Sequence, residues 1–147
     1  MKTTVKHLSN HPGRATINIL IVDDDLINRR LLQRQLSPFG NCEIAVDGAE
    51  AILAFRQAWE KSKPYDLICM DIMMPNIDGK AALKEIRQIE KELGIQDKEK
   101  VKVIMTTALD DAGTVIDSYQ EGASSFLVKP ISRRKLTEEL QLLGLID

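Results

Sequence analysis

The sequence predicts an α/β fold in which a parallel sheet is covered by helices on both faces. Three observations predict it. Five short apolar runs alternate with five segments whose apolar residues recur at helical spacing, the βαβα order that builds parallel sheets. One run, Leu67 to Met70, is apolar without alternation and resumes at Ile72, as a strand buried on both faces does. Four of the five runs end in polar residues suited to chemistry: Asp23-Asp24-Asp25, Asp71, Thr107 and Lys129.

The elements follow in order. Met1 to Thr16 is polar, with Ser9-Asn10-His11-Pro12-Gly13 as a turn, and reads as a tail preceding a domain over 17–147. His7 and His11 are four apart, but Pro12 and Gly13 disfavour the helix that would bring them together. Ile17 to Val22 is a β-branched strand. Ile27, Leu31, Leu32, Leu36 and Phe39 mark the first helix, opposite Arg29, Arg30, Gln33 and Arg34, and Pro38 and Gly40 end it. Cys42 to Val46 is a short second strand, and Asp47-Gly48 turns the chain into a helix carrying Ile52, Phe55 and Trp59. After the central strand, Met74-Pro75 and Asp78-Gly79 force a turn. Ala82, Leu83, Ile86, Ile89 and Leu93 form the third helix, capped at Gly94. A charged loop covers 96–100, and Val101 to Met105 is the fourth strand, closed by Thr106-Thr107-Ala108. A weaker helix from Asp110 to Glu121 stops at Gly122, Ser125 to Val128 is the fifth strand, and Ser132 caps a last helix reaching about Leu143.

The bulk figures exclude several classes. The 147 residues fit one domain with a core. A net charge of −2 gives no reason to expect nucleic-acid or acidic-membrane binding. No apolar run approaches the roughly 20 residues that span a bilayer, and the start of the chain lacks a signal-peptide core, so a cytoplasmic location is expected. Cys42 and Cys69 have no metal-ligand or redox spacing, and Cys69 reads as a buried inert thiol.

The polar strand ends carry the functional argument. In a doubly wound sheet, ligands sit beyond the carboxyl ends of the strands. Asp71 at the end of a buried strand is costly unless cations or hydrogen bonds compensate it, so it is either a capped structural residue or part of a site. Clustered carboxylates repel unless a cation relieves them. One or two carboxylates with waters and a phosphate are what Mg²⁺ takes. Thr107 can donate to a phosphoryl oxygen, and Lys129 supplies a point charge suited to phosphate. Together they describe a site for moving a phosphoryl group onto a carboxylate.

Ile21-Val22-Asp23-Asp24, Asp71 with Met73-Met74-Pro75-Asn76-Ile77-Asp78-Gly79, Thr107-Ala108, and Gly122-Ala123 through Phe126 to Lys129-Pro130 occur in an order and spacing that resembles the receiver domain of two-component response regulators, over about residues 17–143. The resemblance implies a flavodoxin-like sheet of order 2-1-3-4-5. It implies Asp71 as phosphoacceptor from a sensor histidine kinase or histidine phosphotransfer protein. Asp23, Asp24, Asp71 and the Met73 carbonyl would bind Mg²⁺, and Thr107 and Lys129 would contact the phosphoryl oxygens. Thr107 and Phe126 match the switch positions, and Pro130 the lysine-proline bond that is usually cis. Thr106 is the alternative to Thr107 if the register slips by one. Asp25 reads as an N-cap. The family's output face implies a downstream protein partner or a homodimer through the fourth helix, fifth strand and fifth helix, since no output domain follows in the chain. Met73 and Leu109 stand at the two positions that tune phosphate lifetime in the family. Both are apolar and neither orients a water, so slow autodephosphorylation is expected. Phe126 is a switch ring without a hydroxyl. A haloacid-dehalogenase-type phosphatase is the alternative, through Asp23-Asp24-Asp25, but it leaves Asp71 unexplained. An interaction-only receiver is disfavoured by the intact Asp24, Asp71, Thr107 and Lys129 set.

Overall fold

The computed structural model of the protein describes residues 16–108 and 112–147. Most of the expected tail, and Leu109, lie outside the described residues. The elements are β1 (Ile17–Val22), α1 (Leu26–Leu36), β2 (Gly40–Ala45), α2 (Gly48–Glu60), β3 (Leu67–Asp71), α3 (Gly79–Glu92), β4 (Lys102–Thr107), α4 (Ala112–Gln120), β5 (Ser125–Val128) and α5 (Arg133–Leu142). All four strand pairings are parallel and the order is β2-β1-β3-β4-β5. This is the helix-covered parallel sheet expected from the alternation of strands and helices, in the flavodoxin-like order that the family resemblance implies.

Strand pleating divides the core into two layers. Ile17, Ile19 and Ile21 of β1 and Leu67 and Cys69 of β3 face Leu32, Leu36, Leu136 and Leu140 on α1 and α5. Leu20, Val22, Ile68 and Met70 face the other way, onto Phe55, Leu83, Ile86 and Ile89 of α2 and α3. Burying each large apolar side chain contributes about 1.5–3 kcal/mol, so β1 and β3, the two strands at the centre of the core, are strongly held, and β3 is buried along its whole length. Leu145 and Ile146, beyond α5, turn back and close the end of the first layer.

Three boundaries differ from the sequence reading. β2 starts at Gly40 rather than Cys42, because Gly40 pairs with Ile17 at a spot where a Cβ would strike the Ile17 carbonyl. β4 runs on through Thr106 and Thr107, which pair with Leu127 and Val128 instead of leaving the sheet. The loop at 96–100 contains a short 3₁₀ turn at Asp97–Glu99, with Lys100 held 2.8 Å from Asp97.

Candidate functional site

The acidic run after β1 serves three purposes. Asp23 is still paired to the sheet, its N–H donating to the Ala45 carbonyl at 3.3 Å, and it is fully buried. Asp24 stands exposed at the rim. Asp25 caps α1, accepting from the Ile27 and Asn28 N–H groups. The run is fixed twice more: Asp23 Oδ1 accepts from the Asp25 N–H at 2.9 Å, and Arg29 Nη1 donates to the Asp23 carbonyl at 2.8 Å.

Asp71 is the last residue of β3 and 6% exposed. The chain leaves it through a tight turn. The Met73 N–H donates to Asp71 Oδ1 at 3.2 Å, Asn76 takes the left-handed conformation (φ 67°), and Asp78 caps α3 by accepting from the Ala81 N–H. The Gly79 N–H closes the turn on the Ile72 carbonyl at 2.8 Å, and a Cβ at Gly79 would collide with the Asp71 carbonyl. The Asp-Gly pair is therefore what lets α3 start directly beneath the carboxylate.

Lys129 arrives from the far edge. Its N–H donates to the Thr107 carbonyl at 2.7 Å, and the Lys129–Pro130 bond is cis. Its Nζ sits 2.9 Å from Asp23 Oδ2 and 3.3 Å from Asp71 Oδ2. Carboxylate oxygens of Asp23, Asp24 and Asp71 all lie within 4.8 Å of one another, so the three can hold one metal ion. Burial pushes the Asp71 carboxyl above its ordinary value; Lys129 opposes this and the Asp23 charge adds to it. Burial alone would lower Lys129, but its contacts with Asp23 and Asp71 outweigh that and hold it above its ordinary value. Among the described residues one ammonium thus bridges two of the three clustered acids, and the donor set is short of positive charge.

The other expected site residues are spread around this centre. Thr107 is buried at the tip of β4 and pairs with Val128. Phe126 pairs with Met105 and packs, half-buried, against the core layer of α2 and α3. Pleating puts Thr107 and Phe126 on that same face. The Met73 side chain is 74% exposed at the rim. The sequence reading placed Arg29 only on the solvated side of α1 and missed its bond to the Asp23 carbonyl. Its position six residues after a buried aspartate carries no general signal. It also missed Gln35, whose Nε2 donates at 2.9 Å to the Ile131 carbonyl just after the cis bond, tying α1 to the Lys129 loop.

The fold and the pocket define a doubly wound α/β protein with a lysine-bridged carboxylate cluster at the carboxyl edge of its sheet. The chain belongs to the response regulator receiver domain family, whose model matches residues 19–141; it is a receiver domain of two-component signalling. Chemotaxis protein CheY of Bacillus subtilis (strain 168) is 36% identical over 124 residues, covering 83% of this chain and 92% of that protein. Three larger curated relatives match only in part: the chain spans 10%, 49% and 26% of their lengths. Among solved structures, the CheX–CheY–BeF3–Mg²⁺ complex from Borrelia burgdorferi contains a chain with a TM-score of 0.74 and 28% identity, covering 88% of this chain and 90% of that one. The co-crystal structure of the Saccharomyces cerevisiae histidine phosphotransfer protein Ypd1 and the receiver domain of its response regulator Ssk1 contains one with a TM-score of 0.75 and 28% identity, covering 88% and 89%. No helix among the described residues is long and apolar enough to cross a membrane.

Proposed function

We propose that Asp71 is the phosphoacceptor of a signalling switch, taking its phosphoryl group from a histidine on a sensor kinase or phosphotransfer protein. One observation carries the reading: a buried carboxylate sits 3.3 Å from a lysine ammonium and within 4.8 Å of two further carboxylates. An Asp71 oxygen forms the new bond to phosphorus. The phosphorus–nitrogen bond of the donor breaks, and its electron pair returns to the imidazole. Lys129 is placed to neutralise charge on the phosphoryl oxygens, and Thr107 to donate its hydroxyl to one of them. The charge deficit of the pocket fits a divalent cation. Asp23, Asp24 and Asp71, with the Met73 carbonyl, would hold Mg²⁺, which supplies charge neutralisation during transfer.

The surfaces support both partners. Leu26, Ile27 and Leu31 expose an apolar face on α1 beside a groove lined by Leu32, Gln35, Lys129, Pro130 and Ile131, and Lys129 itself reaches Asp71. A helical phosphodonor fits there. Ile116, Tyr119 and Val128 expose apolar surface on α4 and β5. With α5 they form the face on which a downstream partner or a second copy would read the switch. Thr107 and Phe126, on one face of the sheet, would couple that surface to the pocket: drawing Thr107 toward the phosphoryl group frees space for the ring. Neither the apolar Met73 nor Leu109 offers a group to orient a hydrolytic water, so autodephosphorylation is slow. The test is to incubate the protein with acetyl phosphate and Mg²⁺ and map the modification. Label on Asp71 is expected. Label on Asp23, or no label and no response to beryllofluoride, overturns the reading.

A further inference from the structure

Pleating sorts the strand ends onto two faces. Ile21, Cys69, Ile104 and Leu127 all lie in the core layer beneath α1 and α5. Two residues further along each strand stand Asp23, Asp71, Thr106 and Lys129, which therefore share that face. Three of these four are the charged groups of the pocket. The fourth, Thr106, is the direct register partner of Asp71. It is 1% exposed, and its Oγ1 is the buried side-chain oxygen that finds no hydrogen-bond partner among the described residues. β4 lies between β3 and β5. The Lys129 side chain starts beyond β5 and ends 3.3 Å from Asp71 Oδ2, so it crosses over the end of β4 where Thr106 stands.

A threonine at this position has a plain packing reading, since β-branched residues suit strands. Packing alone, however, is served equally by valine, which leaves no orphaned hydroxyl. Buried polar groups in native proteins have partners, and an exception calls for a physical explanation, such as a partner that binds there.

We propose that Thr106 is a positioning residue for Lys129, supplying a second acceptor for the ammonium when the site is loaded. The proposal rests on Asp71 being the phosphoacceptor. As described, Lys129 divides itself between Asp23, beyond β1, and Asp71, at the end of β3. A cation held by Asp23 and Asp24 takes the Asp23 carboxylate from Lys129. The ammonium then draws back toward its own strand, and the acceptor met there on the same face is Thr106 Oγ1. A hydroxyl accepts and donates at once, so Thr106 can hold the ammonium and give its own hydrogen to an oxygen on Asp71. The unpaired oxygen of the resting protein becomes a paired one in the loaded protein.

The experiment compares wild type, Thr106→Val and Thr106→Ser, melted without ligand and titrated with beryllofluoride in the presence of Mg²⁺. Without ligand, the valine variant is expected to melt at or above the wild-type temperature, because it removes a polar atom that has no partner. Its beryllofluoride Kd is expected to weaken about tenfold, the worth of one charge-assisted hydrogen bond. The serine variant, which keeps the hydroxyl, should stay within about twofold of wild type. Equal affinity in wild type and Thr106→Val overturns the proposal. So does an unliganded Thr106→Val protein that melts clearly lower, or a serine variant as weak as the valine one. A wild-type protein that ignores beryllofluoride overturns the Asp71 reading itself, and this proposal with it.

Discussion

Buried carboxylates stand at both ends of this sheet, and they are treated oppositely. At the end where β3, β4 and β5 begin, Glu90 is fully buried. Its Oε1 accepts from Arg87 Nη1 at 2.6 Å and its Oε2 from the Val101 N–H at 2.8 Å. Arg87 uses its remaining donors on the Gly122 carbonyl, at 3.0 and 2.8 Å, and on the Val101 carbonyl at 2.9 Å. Nearby, Asp66 Oδ2 accepts from the Asn18 N–H at 2.7 Å. Each acid there has a local donor set, and the Arg87–Glu90 pair balances one charge with one charge. At the other end, three acids cluster and one lysine bridges two of them, Asp23 and Asp71. A buried acid with matched donors staples a fold together. A cluster short of positive charge is a place where a cation is wanted, and it takes an anionic phosphoryl group only together with that cation.

Breaking the balanced pair should have the largest effect. Arg87→Ala leaves Glu90 buried and uncompensated and is expected to cost about 3–5 kcal/mol in urea unfolding. Mg²⁺ should raise the stability of this variant only as much as it raises that of wild type, leaving the difference between them in place, since the pair lies at the far end of the sheet. A loss below about 1 kcal/mol would mean that Glu90 escapes to solvent, and the contrast between the two ends would fail.

Lys129→Met comes next. It strips from Asp23 and Asp71 the ammonium that pairs with both and should cost about 2–3 kcal/mol without metal, less than the first variant because Asp24 keeps the pocket open to water. Here millimolar Mg²⁺ should recover a large part of the loss, because a ligand that binds only the folded state stabilises it. Thermal melts of the two variants with and without Mg²⁺ check the pair of outcomes together. Equal responses to the metal would erase the distinction.

Asp71→Asn should move stability the other way. Burial raises the Asp71 carboxyl above its ordinary 3.8, and the Asp23 charge adds to this despite Lys129. The folded chain therefore binds this proton more readily than the unfolded chain. The carboxyl's contribution to stability is fully present below 3.8 and is lost as pH rises through the raised value. At pH 7 the ionised group is a net burden, so Asp71→Asn should raise Tm by a few degrees. The gain should vanish in melts run below about pH 3.8, where both proteins are neutral at this position. A gain that persists in acid would have to come from something other than charge.

How much of this was legible in the sequence follows the same division. The strands, the helices and the convergence of Asp23, Asp24, Asp71, Thr107 and Lys129 on one edge were readable, because apolar periodicity and polar strand ends are local signals, whereas the strand order came only with the family resemblance. The Arg87–Glu90 staple was not. Glu90 sits one residue after Ile89 on an otherwise orthodox amphipathic helix, and nothing nearby says that a glutamate will be buried. Its partners, the Val101 N–H and the Gly122 carbonyl, are supplied by backbone far along the chain. Thr106 was read only as a substitute for Thr107. Two adjacent threonines look alike in sequence, and only the strand register shows that one faces Asp71 while the other lies on the Phe126 face. The end of β4 was drawn too early for the same reason: hydroxyls suggested a loop, yet both residues are paired in the sheet.

Met73→Asn is the smallest expected change and the most specific to the pocket's chemistry. The Met73 side chain is 74% exposed, so its replacement should leave stability within about 0.5 kcal/mol. Any change in the lifetime of the aspartyl phosphate then reports on water at the rim and not on folding. Methionine offers a weak acceptor and no donor, whereas asparagine offers both and can hold a water in line with the phosphorus. The Met73 N–H already bonds Asp71 Oδ1 at 3.2 Å, which fixes the backbone from which the new amide would reach. Loss of phosphate from labelled protein, chased in Mg²⁺ buffer, should quicken about threefold, equivalent to roughly 0.7 kcal/mol in the barrier. A half-life in the variant equal to or longer than that of wild type removes the role given to Met73. The slow hydrolysis would then have to be sought in the exclusion of water by the pocket itself, where Lys129 and the buried Asp23 already occupy the approaches to Asp71.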